Sequence, residues 1–202
     1  MEIKKENLLK ALNTGSDSVK ETILAIFPEL KEEAVQKADK RPVTERIKTF
    51  EDACRELGEE HPLIQAYRQI LEIATCEDYM KETFGVDMVA YLKLRIICAA
   101  INEGWEPKFT EDEWRYYPWF YLYTQQELDD MDDDEKQKRH MIDTGDYETE
   151  YCGFGFAPSN HVPSHTLANF GSRLCLKNSE LATYCGKQFI SIWADFNLVR
   201  RR

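Results

Sequence analysis

Nothing in this chain sets two cysteines at C-x-x-C spacing, and no Walker loop, Gly-x-Ser-x-Gly elbow or H-E-x-x-H pair occurs. Each of those chemistries needs its residues at a fixed spacing, so none has a foothold here. No stretch approaches the ~20 apolar residues that span a bilayer. The amino terminus, MEIKKENLLKALN, carries charges at positions 2, 4, 5 and 6 and no apolar run before a cleavage site. It reads as a helix start and not as a signal peptide. Basic residues are also scarce, 26 against 37 acidic, for a net charge of −11. That balance argues against non-specific nucleic-acid binding, where phosphates are neutralised by surplus Lys and Arg.

Six cysteines stand at 54, 76, 98, 152, 175 and 185. With no export signal, they read as free thiols in a reducing compartment, the buried ones acting as small apolar residues. The apolar share of 43% and aromatic share of 12% exceed what a disordered chain carries. At 202 residues there is room for one sizeable core, or for a helical domain beside a small α+β unit.

The charge is unevenly spread: residues 1–103 net −5, residues 104–150 net −10, and residues 151–202 net +4. The acidic middle and the basic end, including Arg200–Arg202, are complementary; the plain alternative is two solvated faces.

Periodicity predicts helices up to residue 102. Leu8, Leu9 and Leu12 share a stripe stopped by Asn13-Thr14-Gly15, and a second helix runs through Leu24 and Phe27 to Pro28. The polar run 31–42 reads as a linker. Thr44 is expected to cap a helix with Ile47, Phe50, Ala53, Cys54 and Leu57 on one face, stopped by Gly58. His61-Pro62 opens the next helix. Residues 86–102 carry the widest apolar stripe, that of a central core helix. Beyond Gly104 the pattern changes to a strand over 117–123, an acidic helix from a Thr124/Glu127 capping box to Lys138, strands at YCGFGFAPS and GSRLCLK, and one last helix from Ser179. The expected fold is α+β: residues 1–40 a helical segment and linker, 41–103 helical, and 104–202 a small antiparallel sheet with flanking helices.

RYYPWFYLY, residues 115–123, holds six aromatic rings in nine positions. Strand alternation puts Tyr117, Trp119, Tyr121 and Tyr123 on one face and Tyr116, Phe120 and Leu122 on the other. The second set suits a dry core. The first has apolar bodies with polar tips, fit for a core rim or a ligand platform. Pro118 cannot donate to a ladder, so the strand begins there or lies at an edge. Trp119, Tyr121 and Tyr123, with Trp105 and Trp114 close in sequence, are the candidate ligand-binding residues.

Three other patterns bear on function. CGFGFA, 152–157, resembles the core of an RNA-recognition strand, with Phe154 and Phe156 as base stackers and Arg173 as a cationic partner. Cys152 stands where a basic residue belongs, which favours a tightly packed strand. Cys152, His161, His165 and Cys175 have metal-capable atoms, but Pro163 breaks the helix that would align the histidines, so no metal ligand is assigned. Asp130, Asp132 and Asp134 have calcium-loop spacing, with Glu135 where the turn glycine should be. Nothing assembles a nucleophile, base and orienter; no catalytic residue and no cofactor is assigned, and the chain reads as a non-enzyme. Arg173 is expected to pair with the acidic stretch 129–135, or else to meet an anionic ligand.

The segments LKLRIICAAINEGW from Leu92, Trp105–Pro107, YYPWF at 116–120, FGSRLCLKNSELATYCGKQF at 170–189, IWADF at 192–196 and TERIKTFEDACRELG at 44–58 resemble a set of proteins encoded by phages and prophages of gut anaerobes. The resemblance implies a phage-linked setting, in the bacterial cytoplasm or the virion, and carries no residue roles. The expectation is a non-enzymatic interaction module, without a membrane segment, that takes a protein or glycan through the Trp119 face. A single-stranded nucleic-acid binder and a metal-dependent hydrolase are the alternatives. Oligomeric state is left open.

Overall fold

The computed structural model describes residues 7–8, 11, 17–28, 30, 41–108, 110, 112–163 and 172–201, with side chains at 17, 18, 20, 21, 158–163 and 172 outside that description. The fold is α+β, and the chain divides into two compact units, 1–42 and 43–202. The first holds helix α1, Asp17–Ile26. The stop expected at Asn13–Gly15 and the linker over 31–40 lie outside the described residues. No described helix is long and apolar enough to cross a membrane.

The second unit starts with a single turn, α2 (Val43–Arg46), followed by α3 (Phe50–Leu57). The expected Thr44 cap is displaced to Thr49, whose hydroxyl accepts from the Asp52 N–H while the Asp52 carboxylate accepts from the Thr49 N–H. That reciprocal box satisfies two orphan donors, which Thr44, with Ile47 three residues on, cannot do. Helix α4 (Pro62–Ala74) starts from an His61 cap, and α5 (Glu77–Phe84) leads through Gly85 to α6 (Val86–Ile101). Gly85 joins the two at φ +95, a backbone that side-chain-bearing residues rarely adopt. Val89, Leu94, Ile96, Ile97 and Ile101 of α6 are buried, and α3, α4, α5 and the C-terminal helices pack around it.

One ionic cluster joins four of these helices. Glu77 at the start of α5 meets Lys93 Nζ of α6 at 2.6 Å and Lys81 Nζ at 2.8 Å, and accepts from the Tyr67 hydroxyl of α4 at 3.3 Å. Lys93 also lies over the Phe50 ring of α3. Burial alone raises the Glu77 carboxyl, but the hydrogen bonds from Lys81 and Lys93 outweigh it and bring it down to about 2. The cluster therefore stabilises the fold above the ordinary carboxyl value of 4.5 and loses that contribution as pH falls toward 2. Glu77→Gln is expected to lower the melting temperature by a few degrees at neutral pH and to flatten the acid limb of a stability–pH curve between those two values.

Strand β1 (Trp114–Tyr123) is followed by α7 (Gln125–Asp130), α8 (Asp133–Lys138), β2 (Ile142–Asp143) and β3 (Gly153–Pro163). The single acidic helix expected here breaks at Met131, because the Asp132 side chain caps a new start by accepting from the Glu135 N–H. The sheet is antiparallel, in the order β1-β3-β2. A 3-10 turn (Ser172–Leu174) then leads to α9 (Ser179–Gln188) and α10 (Ile190–Asn197). The last helix, expected as one, bends at Phe189. Helices and sheet share one core, with Phe154, Phe156, Leu176, Cys185 and Trp193 packed together with the α6 residues.

GSRLCLK is not the strand expected. Only Leu176 pairs, exchanging two backbone hydrogen bonds with Tyr116. Asn102, buried at the end of α6, sets this segment by donating to the Cys175 carbonyl at 2.9 Å and accepting from the Lys177 N–H at 3.0 Å. The basic end touches the acidic middle at Arg200, which lies 3.9 Å from Asp146, while its closer pair, at 2.8 Å, is with Asp195 of its own block. All six cysteines are free thiols.

Candidate functional site

Strand β1 pairs with β3 along its whole length, with a one-residue register shift at Pro118. Pro118 therefore sits within the strand and does not start it, opposite the extra residue that β3 carries there. Beyond the shift, Phe120 faces Phe156 and Leu122 faces Phe154 on the inner side, while Trp119, Tyr121 and Tyr123 face Ala157, Gly155 and Gly153 on the outer side.

The glycines explain the Gly-Phe alternation. A Cβ on Gly153 would lie 3.0 Å from Leu128 Cδ2 and Met141 Sδ, and one on Gly155 would lie 2.8 Å from Met141 Cε and 3.1 Å from the Tyr123 ring. The small residues let these side chains lie flat on the outer face, while the phenylalanines turn inward. Phe154 stacks on Phe120 at 4.7 Å, and Phe156 meets the same ring edge-on at 6.2 Å. Both are buried, so neither presents a face to a base. Assigning them as base stackers is corrected to core packing.

The outer row is graded in exposure. Trp119 is 42% and Tyr121 53% exposed, but Tyr123 is half-buried, with the Arg139 guanidinium 5.7 Å above its ring. Arg139 is held by Glu135, whose carboxylate accepts from its Nε at 3.1 Å and its Nη2 at 2.7 Å. Tyr117, expected on the same platform, is buried. Trp114 is exposed at the far end of β1. Trp105 is half-buried and lines a different cavity, so the five candidate residues do not form one surface.

The geometry adds something that alternation alone does not show. Tyr116 turns its N–H and C=O toward Leu176, away from β3, while Tyr123 O accepts from Cys152 on the β3 side. Backbone direction alternates along a strand, so Phe120 and Leu122 also point away from β3. Among the described residues no group takes up their N–H or C=O. Beside this open edge lies a cavity of about 330 Å³, walled by Phe120, Leu122 and Phe154 on one side and by Trp193, Asn197 and Leu198 on the other, with Trp119 and Pro118 at its β1 rim. The α10 wall has no signature in the sequence, because it depends on the bend at Phe189 that swings Trp193 to 5.7 Å from Phe120.

Arg173, expected to pair with residues 129–135, is exposed, has no ion pair among the described residues, and lines the cavity of Trp105. Among the described residues no three His, Cys, Asp or Glu side chains gather as a ligand set; the His161 side chain and His165 lie outside them. No family model, curated protein or solved structure matches the chain.

Proposed function

We propose that the chain is a non-enzymatic binding module that takes an extended protein segment along the free edge of β1. The observation that carries this reading is the coincidence of Phe120 and Leu122 backbone groups on an open edge with an apolar cavity beside it. An edge strand is a template for another strand: main-chain hydrogen bonds supply affinity, and alternate side chains enter pockets. A glycan could stack on Trp119 and Tyr121 but would leave that backbone row unmatched, so the polypeptide is the better fit. The partner segment would pair from Leu122 toward Pro118, where the missing N–H and the Leu176 bridge end the edge. Its alternate apolar side chains would enter the cavity lined by Leu122, Phe154 and Leu198, and Trp119 would close over it. The sequence resemblance to phage and prophage proteins is what supports a setting in the bacterial cytoplasm or the virion.

Selection of short linear peptides from a random displayed library tests the reading with the full chain as bait. Sequences with alternating apolar residues are expected to bind, and to lose about tenfold or more in affinity to the Trp119→Ala/Tyr121→Ala variant, whose melting temperature should not move. Methylating the peptide amides that face β1 should abolish binding. If peptides give no enrichment while a glycan array yields a ligand sensitive to the same variant, the site is a carbohydrate platform instead.

A further inference from the structure

The 3-10 turn at 172–174 separates the groove from a second cavity of about 560 Å³: Leu174 lines the first, Arg173 and Cys175 the second. Three chain segments besides this turn build it. The start of α4 contributes His61, the last turns of α6 contribute Arg95, and the loop after α6 contributes Trp105 and Glu106.

Two arginines, Arg95 and Arg173, line this one cavity. Arg46, Arg55, Arg68, Arg139 and Arg200 each hold a carboxylate. Among the described residues Arg95 and Arg173 hold none, although acidic residues outnumber basic ones by 37 to 26 in the full sequence. Self-pairing is the cheap outcome for an arginine in an acidic protein. Two guanidiniums on one cavity wall, with no carboxylate partner among the described residues, keep ten N–H donors between them for a ligand.

His61 adds a further donor. Its Nδ1 accepts from the Leu63 N–H at 3.2 Å, so the neutral ring carries its proton on Nε2. Glu106 is the one carboxylate lining the cavity; against Arg95 and Arg173 it leaves the wall with a net positive charge. The half-buried Trp105 indole supplies an apolar face beside these donors.

We propose that this cavity is a second ligand site, for a small oxyanion, carboxylate or phosphate, borne on a planar ring that lies against Trp105. Guanidinium forks match both oxyanions, and the indole selects a ring over a bare ion. The site stands apart from the β1 groove and does not depend on the peptide reading.

Calorimetric titration of the full chain with AMP, benzoate, inorganic phosphate and adenosine tests it. AMP or benzoate is expected to bind at least about tenfold more tightly than inorganic phosphate or adenosine, and which of the two binds identifies the oxyanion. Arg173→Ala and Arg95→Gln should each weaken that ligand by about tenfold or more. Arg173 is solvent-exposed, so its variant should melt like the parent and keeps the test sound if Arg95→Gln disturbs α6. Trp119→Ala/Tyr121→Ala should leave the affinity unchanged. The proposal is overturned if no ligand saturates below about 10 mM, or if Arg173→Ala binds as the parent does.

Discussion

Trp193→Ala is expected to destabilise the 43–202 unit by about 3–5 kcal/mol, as for other buried large-to-small aromatic changes. In a unit of this size that is a fall in melting temperature of roughly 6–20 °C. Trp193 is only 5% exposed, stands 5.7 Å from Phe120 and 6.1 Å edge-on from Phe196, and joins α10 to the sheet beneath the open edge of β1. Truncation would merge its volume with the neighbouring groove instead of leaving a sealed void. Trp193→Phe should behave quite differently. The indole N–H has no hydrogen-bond partner among the described residues, so phenylalanine gives up contact area but also removes a buried orphan donor. Its net cost is expected to stay below about 1.5 kcal/mol. Calorimetric melting of both variants checks the pair. A loss below about 1 kcal/mol for the alanine variant would mean that Trp193 does not close the core.

That residue also marks where sequence reasoning reaches its limit. Helix α6 was legible because sixteen residues carry a stripe too wide for a surface helix, and glycines at 85 and 104 bound it. The two faces of β1 were legible from Trp119 onward, because period-two alternation survives whatever packs on it. Tyr117 broke the pattern: it is buried where Trp119, on the same side of the strand, is not, a difference of covering rather than of residue type. Arg-Leu-Cys-Leu-Lys alternates as well as many strands do, yet pairing stops at Leu176 because Asn102, some seventy residues away, fixes the chain there. No proline announces the bend at Phe189, and Gly186, three residues earlier, is still inside α9, so the α10 wall of the groove could not be placed. The edge itself was half-visible: Pro118 signalled an edge strand, but which backbone groups stay open depends on the Leu176 bridge. Tyr123 belonged to the platform by alternation and leaves it because Arg139 arrives from another element.

Gly186→Ala tests the packing that holds β1 in place, and it sets two effects of opposite sign against each other. Gly186 is a buried residue inside α9 with no positive φ. On helix propensity alone alanine would stabilise it by about 1 kcal/mol. Here, however, an added Cβ would lie 2.6 Å from Pro118 Cβ and 2.8 Å from Phe156 Cδ2 and Cε2. Neither neighbour can yield cheaply: the proline ring is fixed to the β1 backbone, and Phe156 is packed against Phe120. Overpacking of this kind costs typically 1–3 kcal/mol, about enough to outweigh the propensity gain. Valine or leucine at this position should cost more, since each extra methyl meets the same two walls. The expected result is a lower melting temperature for the alanine variant, with helix content by circular dichroism unchanged. A Phe156→Leu partner should recover part of the loss in a double-mutant cycle, because a narrower side chain gives the new methyl room. The displacement should also be felt at the groove: Pro118 forms its rim, so pushing it outward should weaken peptide capture at the β1 edge more than anion capture beside Trp105. An alanine variant that melts higher than the parent would mean that α9 does not press on β1 at this point, and that the edge strand is held by other contacts.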